Sequence, residues 1–216
     1  MSLKTAAQSR RQTPPTSVAA ARGQMKDCDI IICSGRYLIS RIFEWITNGR
    51  YSHAAIAVHW GDKLMLCQAE AVGVQAVPLW DAAKKYNGRC YWYRLKSDFA
   101  EKLRVQRTLD SAKSDLGLEY GYWTIIREML YRYFGFSKPN QSGKPTTFFC
   151  SQYVSACFRS GGIVFAPGKS DSEVLPGDIS DSPMVEFMGR ITYVNGEEVP
   201  ERMTLQQDLA DEAHGD

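Results

Sequence analysis

The chain has 216 residues, 44% hydrophobic and 23% charged, enough apolar material for one globular domain with a full core. A formal net charge of +2 is too small to point to nucleic acid, and no run approaches the roughly 18 apolar residues of a membrane helix. Six cysteines, none in a C-x-x-C pair, exclude a disulfide-dense scaffold and make a reducing compartment the simplest assumption.

Residues 1–26 are polar, Pro-containing and unpatterned, and read as a disordered tail. Arg10 and Arg11 are followed by Thr13-Pro14-Pro15-Thr16-Ser17 and not by an apolar stretch. That pattern argues against a secretory signal, so a cytoplasmic location is expected. Asp29 to Cys33 reads as a short buried strand. Tyr37 to Thr47 reads as a helix with Leu38, Ile42, Trp45 and Ile46 on one side, ended by Asn48-Gly49.

Two strand-like runs, 53–60 and 63–70, flank Gly61-Asp62, which reads as a two-residue hairpin loop of type II′. With that loop, paired positions sum to 123: Trp60 faces Lys63, Ala57 faces Leu66 and His53 faces Glu70. Directly opposed residues have Cβ atoms about 4.5–5.5 Å apart, within reach for an imidazole and a carboxylate. His53 held by Glu70 is therefore the candidate base and orienter. Gln68 lies on the same face and is an alternative orienter. Ala54, Ile56 and Val58 read as the packed side of this strand. Small Ala55 and Ala57 on the histidine side leave room for a neighbouring helix. His59, about 20 Å further along the strand, reads as structural.

Val74 to Leu79 and Arg89 to Leu95 read as further strands. Asp98 and Glu101 form a capping-box pattern for a helix reaching about Leu116 and stopped by Gly117. Trp123 to Phe134 reads as another helix, and 136–147 as a polar loop.

From Cys150, apolar residues recur at Tyr153, Val154, Cys157 and Phe158, the period of a helix, and Gly161-Gly162 stops it. The thiol therefore lies at or near the first turn. Free amide N–H groups and the positive dipole end favour a thiolate there, and an ion pair with His53 would lower its pKa by several units. Cys150 is the candidate nucleophile; Ser151 reads as an ordinary polar residue of the first helical turn. Beyond Ile163 the chain is loop-rich, with a turn at Leu175-Pro176-Gly177-Asp178 and a last strand at Arg190 to Val194. Residues 201–216 form an acidic tail, leaving 27–200 as a single domain. Helices and antiparallel strands in blocks predict an α+β fold. The His and Cys spacings fit none of the common metal sites, so no metal and no cofactor is expected.

Four segments in order carry a resemblance: 27–33, then Tyr51-Ser52-His53-Ala54-Ala55-Ile56, then Ala69-Glu70-Ala71 with Gly73-Val74, then Phe149-Cys150-Ser151 with Val154. Together they resemble the circularly permuted branch of the NlpC-type papain-like hydrolases, the YiiX-like proteins, over about residues 27–180. In that branch the histidine strand precedes the cysteine helix, as here. The resemblance implies a permuted papain-like fold, a cysteine helix packed on an antiparallel sheet, with Cys150 as nucleophile, His53 as base and Glu70 as third member. It also implies a substrate-contacting tyrosine in a Gly-x-x-Tyr turn, matched by Gly117-Leu118-Glu119-Tyr120, which assigns that role to Tyr120.

The expected activity is amide hydrolysis through a thioester on Cys150, with a small peptide or cell-wall-type fragment as substrate. The backbone N–H of Cys150 is a natural oxyanion donor. Two other readings compete. One is an acyltransferase or lipase of the lecithin:retinol acyltransferase type, which shares the permuted order but uses a second histidine where this chain has Glu70. The other is a non-catalytic binding domain on the same fold. The oligomeric state is left open by the sequence.

Overall fold

The computed structural model describes residues 15–34, 51–70, 73–86, 90–118 and 150–193. These form a mixed α+β structure built on a seven-stranded sheet. The strands are β1 (Pro15–Ser17), β2 (Ile30–Cys33), β3 (His53–Trp60), β4 (Lys63–Glu70), β5 (Gly73–Pro78), β6 (Cys90–Leu95) and β7 (Val185–Thr192). Their spatial order is β1-β7-β6-β2-β3-β4-β5. All neighbours are antiparallel except the β1–β7 pair, which is parallel. The helices are α1 (Val18–Arg22), α2 (Leu79–Tyr86), α3 (Ser97–Ala100), α4 (Val105–Ser114), α5 (Cys150–Ser160) and α6 (Pro176–Ser180), with a 3-10 turn at Asp171–Glu173.

Successive strand residues point to opposite faces, and here both faces are covered. Ile30, Ile32, Ala54, Ile56, Val58, Tyr91 and Tyr93 pack with Tyr153, Val154, Cys157 and Phe158 of α5. Ile31, Cys33, Ala55, Ala57, Leu64, Leu66 and Trp92 pack with α1 and α2 on the other side. Burial on both faces explains why β2 is a continuous apolar run and not an alternating one.

The hairpin has the expected register, with Trp60 opposite Lys63, Ala57 opposite Leu66 and Ala55 opposite Gln68. Gly61 has φ 62°, a value open to glycine and suited to the first central position of a II′ turn.

Several elements differ from expectation. The tail is structured from Pro15 on: β1 adds to the sheet edge through β7, and Val18, Ala21 and Met25 enter the core. Van der Waals and apolar burial of these few residues outweigh a polar composition. The single helix expected to reach Leu116 is two, α3 and α4. Between them the Arg104 N–H leaves the helix to donate to the Gly161 carbonyl at 2.9 Å. The α3 N-cap is Lys96, with no side-chain cap bond, so the Asp98–Glu101 pair is not a capping box. The turn at Leu175 is the start of α6, where Asp178 accepts the Leu175 N–H at 2.8 Å. The last strand starts earlier, at Val185. Helix α2 was not expected, although Leu79, Trp80, Ala83 and Tyr86 have helical spacing. The expected helices at 37–47 and 123–134 and the 136–147 loop lie outside the described residues, as do 201–216.

Helix α5 ends as expected, with Gly162 at φ 97°. Gly161 is required for closeness: a methyl group there would collide with Thr108 Oγ1 and lie 3.3 Å from the Arg104 carbonyl. Thr108 is fully buried and cannot swing out. Gly161→Ala should therefore destabilise the fold by about 1–3 kcal/mol, read as a lower urea midpoint at unchanged slope. An unchanged midpoint would show that α4 and α5 can separate freely.

Candidate active site

The site forms at one end of the central strands. His53 is the first residue of β3 and Cys150 the first of α5. The two come from opposite faces of the sheet. Helix α5 packs on the Ala54 and Ile56 face, whereas His53 shares its face with Ala55 and Gln68. The helix that fills the room beside Ala55 and Ala57 is α2, and not the cysteine helix. The thiol meets the histidine strand at its end: Cys150 Sγ donates to the Ser52 carbonyl at 3.8 Å, and the Ala54 N–H is directed at the sulfur. Ser52 and Ala54 flank His53, so sulfur and ring belong to one locality. Among the described residues no hydrogen bond joins them directly.

The ring is fixed by Gln68 and not by Glu70. His53 Nε2 lies 2.7 Å from Gln68 Oε1, and both residues are buried. An amide oxygen only accepts, so Nε2 carries the proton and Nδ1 is left as the basic atom. The Glu70 carboxylate is occupied elsewhere. It receives both oxygens' worth of contact from Lys85 Nζ at 2.6 Å and a bond from Gln75 Nε2 at 3.1 Å. Its charge still reaches the ring and raises the His53 pKa. Gln68 is diagonal to His53 across the hairpin, a separation that a long side chain spans. Full ionic pairing with Lys85 of α2 draws the nominally opposed carboxylate away. Tyr86 of α2 stacks on the imidazole, with ring centroids 5.4 Å apart and planes 14° from parallel. Lys85 and Tyr86 were legible only through the helical spacing of 79–86.

Protonation states follow from burial. The imidazole pKa is lowered from 6.5, mainly because burial penalises the cation; the Gln68 bond and Glu70 oppose this, and Lys85 adds to it. The Cys150 thiol is pushed up to about 11 by burial, against the lowering effect of the Ala54, Ser151 and Cys150 N–H groups. The expected low thiol pKa is thus not realised: three N–H dipoles do not offset the loss of water. The resting pair is a neutral thiol and a neutral imidazole. Cys150 is set apart from the other five cysteines by its partial exposure, since the rest are buried.

Tyr120 lies outside the described residues. His59 bonds Asp27, through its backbone N–H at 2.6 Å and Nδ1 at 3.0 Å, far from the site on the strand's exposed end. Ser151 donates to the Val174 carbonyl at 2.6 Å and is buried, a structural role. Among the described residues no group of three His, Cys, Asp or Glu side chains is placed to hold a metal ion. Among them, too, no helix is long and apolar enough to cross a membrane.

No protein-family model and no curated protein sequence matches the chain. Among solved structures, the chain is similar to the crystal structure of the metalloprotein YiiX from Escherichia coli O157:H7 (DUF1105). The TM-score is 0.47 and the identity 20%, over 77% of this chain and 98% of that one.

Because the folded-state pKa of His53 lies below its ordinary value, its effect on stability is absent well above pH 6.5. As pH falls below 6.5 the unfolded chain takes up the proton first, and stability is lost. Gln68→Glu should raise the His53 titration midpoint, followed by NMR of the ring C–H resonances, by replacing an amide with a carboxylate. A midpoint that does not move would mean that Gln68 does not hold the ring.

Proposed function

We propose that the chain is a permuted papain-like cysteine hydrolase that cleaves amide bonds, with Cys150 as nucleophile, His53 as base and Gln68 as the residue that orients the base. The observation that supports it best is the seating of the Cys150 thiol, at a helix start, against the backbone on either side of an imidazole whose tautomer is set by Gln68.

With both groups neutral, proton transfer accompanies attack. The sulfur bonds to the substrate carbonyl carbon as its proton passes to His53 Nδ1, giving a tetrahedral oxyanion. The backbone N–H groups of Cys150 and Ser151 at the helix start, with that of Ala54, are the donors available to that oxyanion. Collapse breaks the C–N bond, and the imidazolium gives its proton to the departing amine. Water, deprotonated by the same imidazole, then hydrolyses the thioester and returns the thiol. The imidazolium formed in between is favoured by the Glu70 charge. In this reading Glu70 is a carboxylate behind the site, paired with Lys85, and Gln68 takes the orienting place that Glu70 was expected to fill. A small peptide or cell-wall-type fragment is the substrate class that the sequence resemblance implies.

A binding domain without catalysis is the second reading. It is favoured by the thiol's donation to Ser52 and not to the ring. Alkylation of Cys150 by iodoacetamide separates the two. A neutral thiol with an aligned base gives a rate that rises toward pH 11 in the free protein, and that falls on His53→Ala at neutral pH. A His53→Ala rate equal to wild type at every pH would leave only the binding reading.

Screened on an amide fragment library, Cys150→Ala should abolish turnover and the thioester adduct seen by mass. His53→Ala should cost about 10²–10⁴-fold in kcat/KM. Gln68→Ala should cost more than Glu70→Gln. The reverse order would restore Glu70 as the orienting residue.

A further inference from the structure

A second cysteine constellation lies beside the site and has no part in the hydrolytic scheme. Cys33, the last residue of β2, and Cys90, the first of β6, are direct cross-strand partners. Their sulfurs are 2.8 Å apart, both residues are buried, and both are free thiols. Cys33 is at the same time the cross-strand partner of His53 on the other side of β2.

We infer that Cys33 and Cys90 are a redox site, a dithiol that a peroxide converts to a cross-strand disulfide and that a thiol reductant restores. Directly opposed residues of an antiparallel pair have Cα atoms about 4.5–5.5 Å apart, inside the about 4.4–6.8 Å range that a disulfide requires. Closing the bond to about 2.05 Å therefore needs a small sulfur displacement and no change of register.

The chemistry balances in two steps. One thiolate attacks a peroxide oxygen; the O–O bond breaks, leaving a sulfenic acid on the protein and releasing hydroxide or alkoxide, which takes up the proton lost by the thiol. The second thiol attacks the sulfenic sulfur; the S–S bond forms, the S–O bond breaks, and water leaves with the thiol's proton. Two thiols lose two hydrogens and two electrons, and the peroxide gains them. Burial holds the Cys33 thiol protonated, so the first step waits on a local opening. Both cysteines stand at strand termini, Cys33 as the last residue of β2 and Cys90 as the first of β6. Once formed, the bridge ties β2 to β6 in the row that contains His53, immediately beside the candidate site. The inference does not depend on the hydrolase reading.

The test uses the full wild-type chain. Treat the native protein with hydrogen peroxide, unfold it in N-ethylmaleimide, and map peptides by mass before and after dithiothreitol. The expected product is a Cys33–Cys90 linked peptide, with two fewer alkylated thiols than the six of the reduced chain, restored by dithiothreitol. Cys33→Ala should remove the linked peptide and leave Cys90 alkylatable. Three results would overturn the inference: Cys33 and Cys90 both still alkylated at a peroxide dose that already oxidises Cys150, a linkage between other cysteines, or a Cys33–Cys90 link that forms only when the chain is unfolded beforehand.

Discussion

Coverage of the sheet on both faces is the constraint from which the other features follow. A polar group between those layers has no water, so it must find a partner or lose its charge. Asp29 meets the constraint by bonding: its carboxylate receives the Lys26 N–H at 2.9 Å, the Trp92 indole N–H at 2.8 Å and two bonds from Arg94 at 2.8 and 2.7 Å. This fixes the start of β2 to β6. His53 meets it by bonding Gln68 and staying neutral.

The same constraint shapes the chemistry available at the site. A water-poor environment disfavours a resting ion pair, so the helix start cannot by itself keep the Cys150 thiolate. What it can provide is a set of N–H groups fixed in place before any charge develops. Such donors are most effective where solvent is excluded, because no water competes and no reorganisation is needed. The aromatic face of Tyr86 and the Gln68 amide together leave the imidazole little freedom to turn. Orientation, and not a shifted resting charge, is what these neighbours contribute.

Much of the hairpin was readable from the chain. Gly61-Asp62 set the turn, the turn set the register, and the register put Gln68 and Glu70 on the histidine face. The choice between those two was not readable, because it depends on Lys85 and Gln75, which arrive from α2 and β5 and draw Glu70 away. The helix beginning at Cys150 was legible in its apolar spacing and its Gly-Gly stop. The side of the sheet it covers was not, since Ala54, Ile56 and Val58 and the opposite row of Ala55 and Ala57 are equally apolar. Residues 15–22 misled in the other direction: a polar, proline-containing segment is ordered by pairing with β7, a strand about 170 residues later.

The amino-acid order alone determined where the hairpin turns and its register, which residues alternate on its strands, and that a thiol opens a helix while an imidazole opens a strand. Those properties are local, set by side-chain periodicity and by glycine's backbone freedom. Tertiary structure alone decided which amide or carboxylate holds the ring, that the thiol stays protonated, and that Cys33 and Cys90 touch. Each of these depends on water being excluded by layers from distant parts of the chain, and no local pattern encodes the dielectric around a side chain.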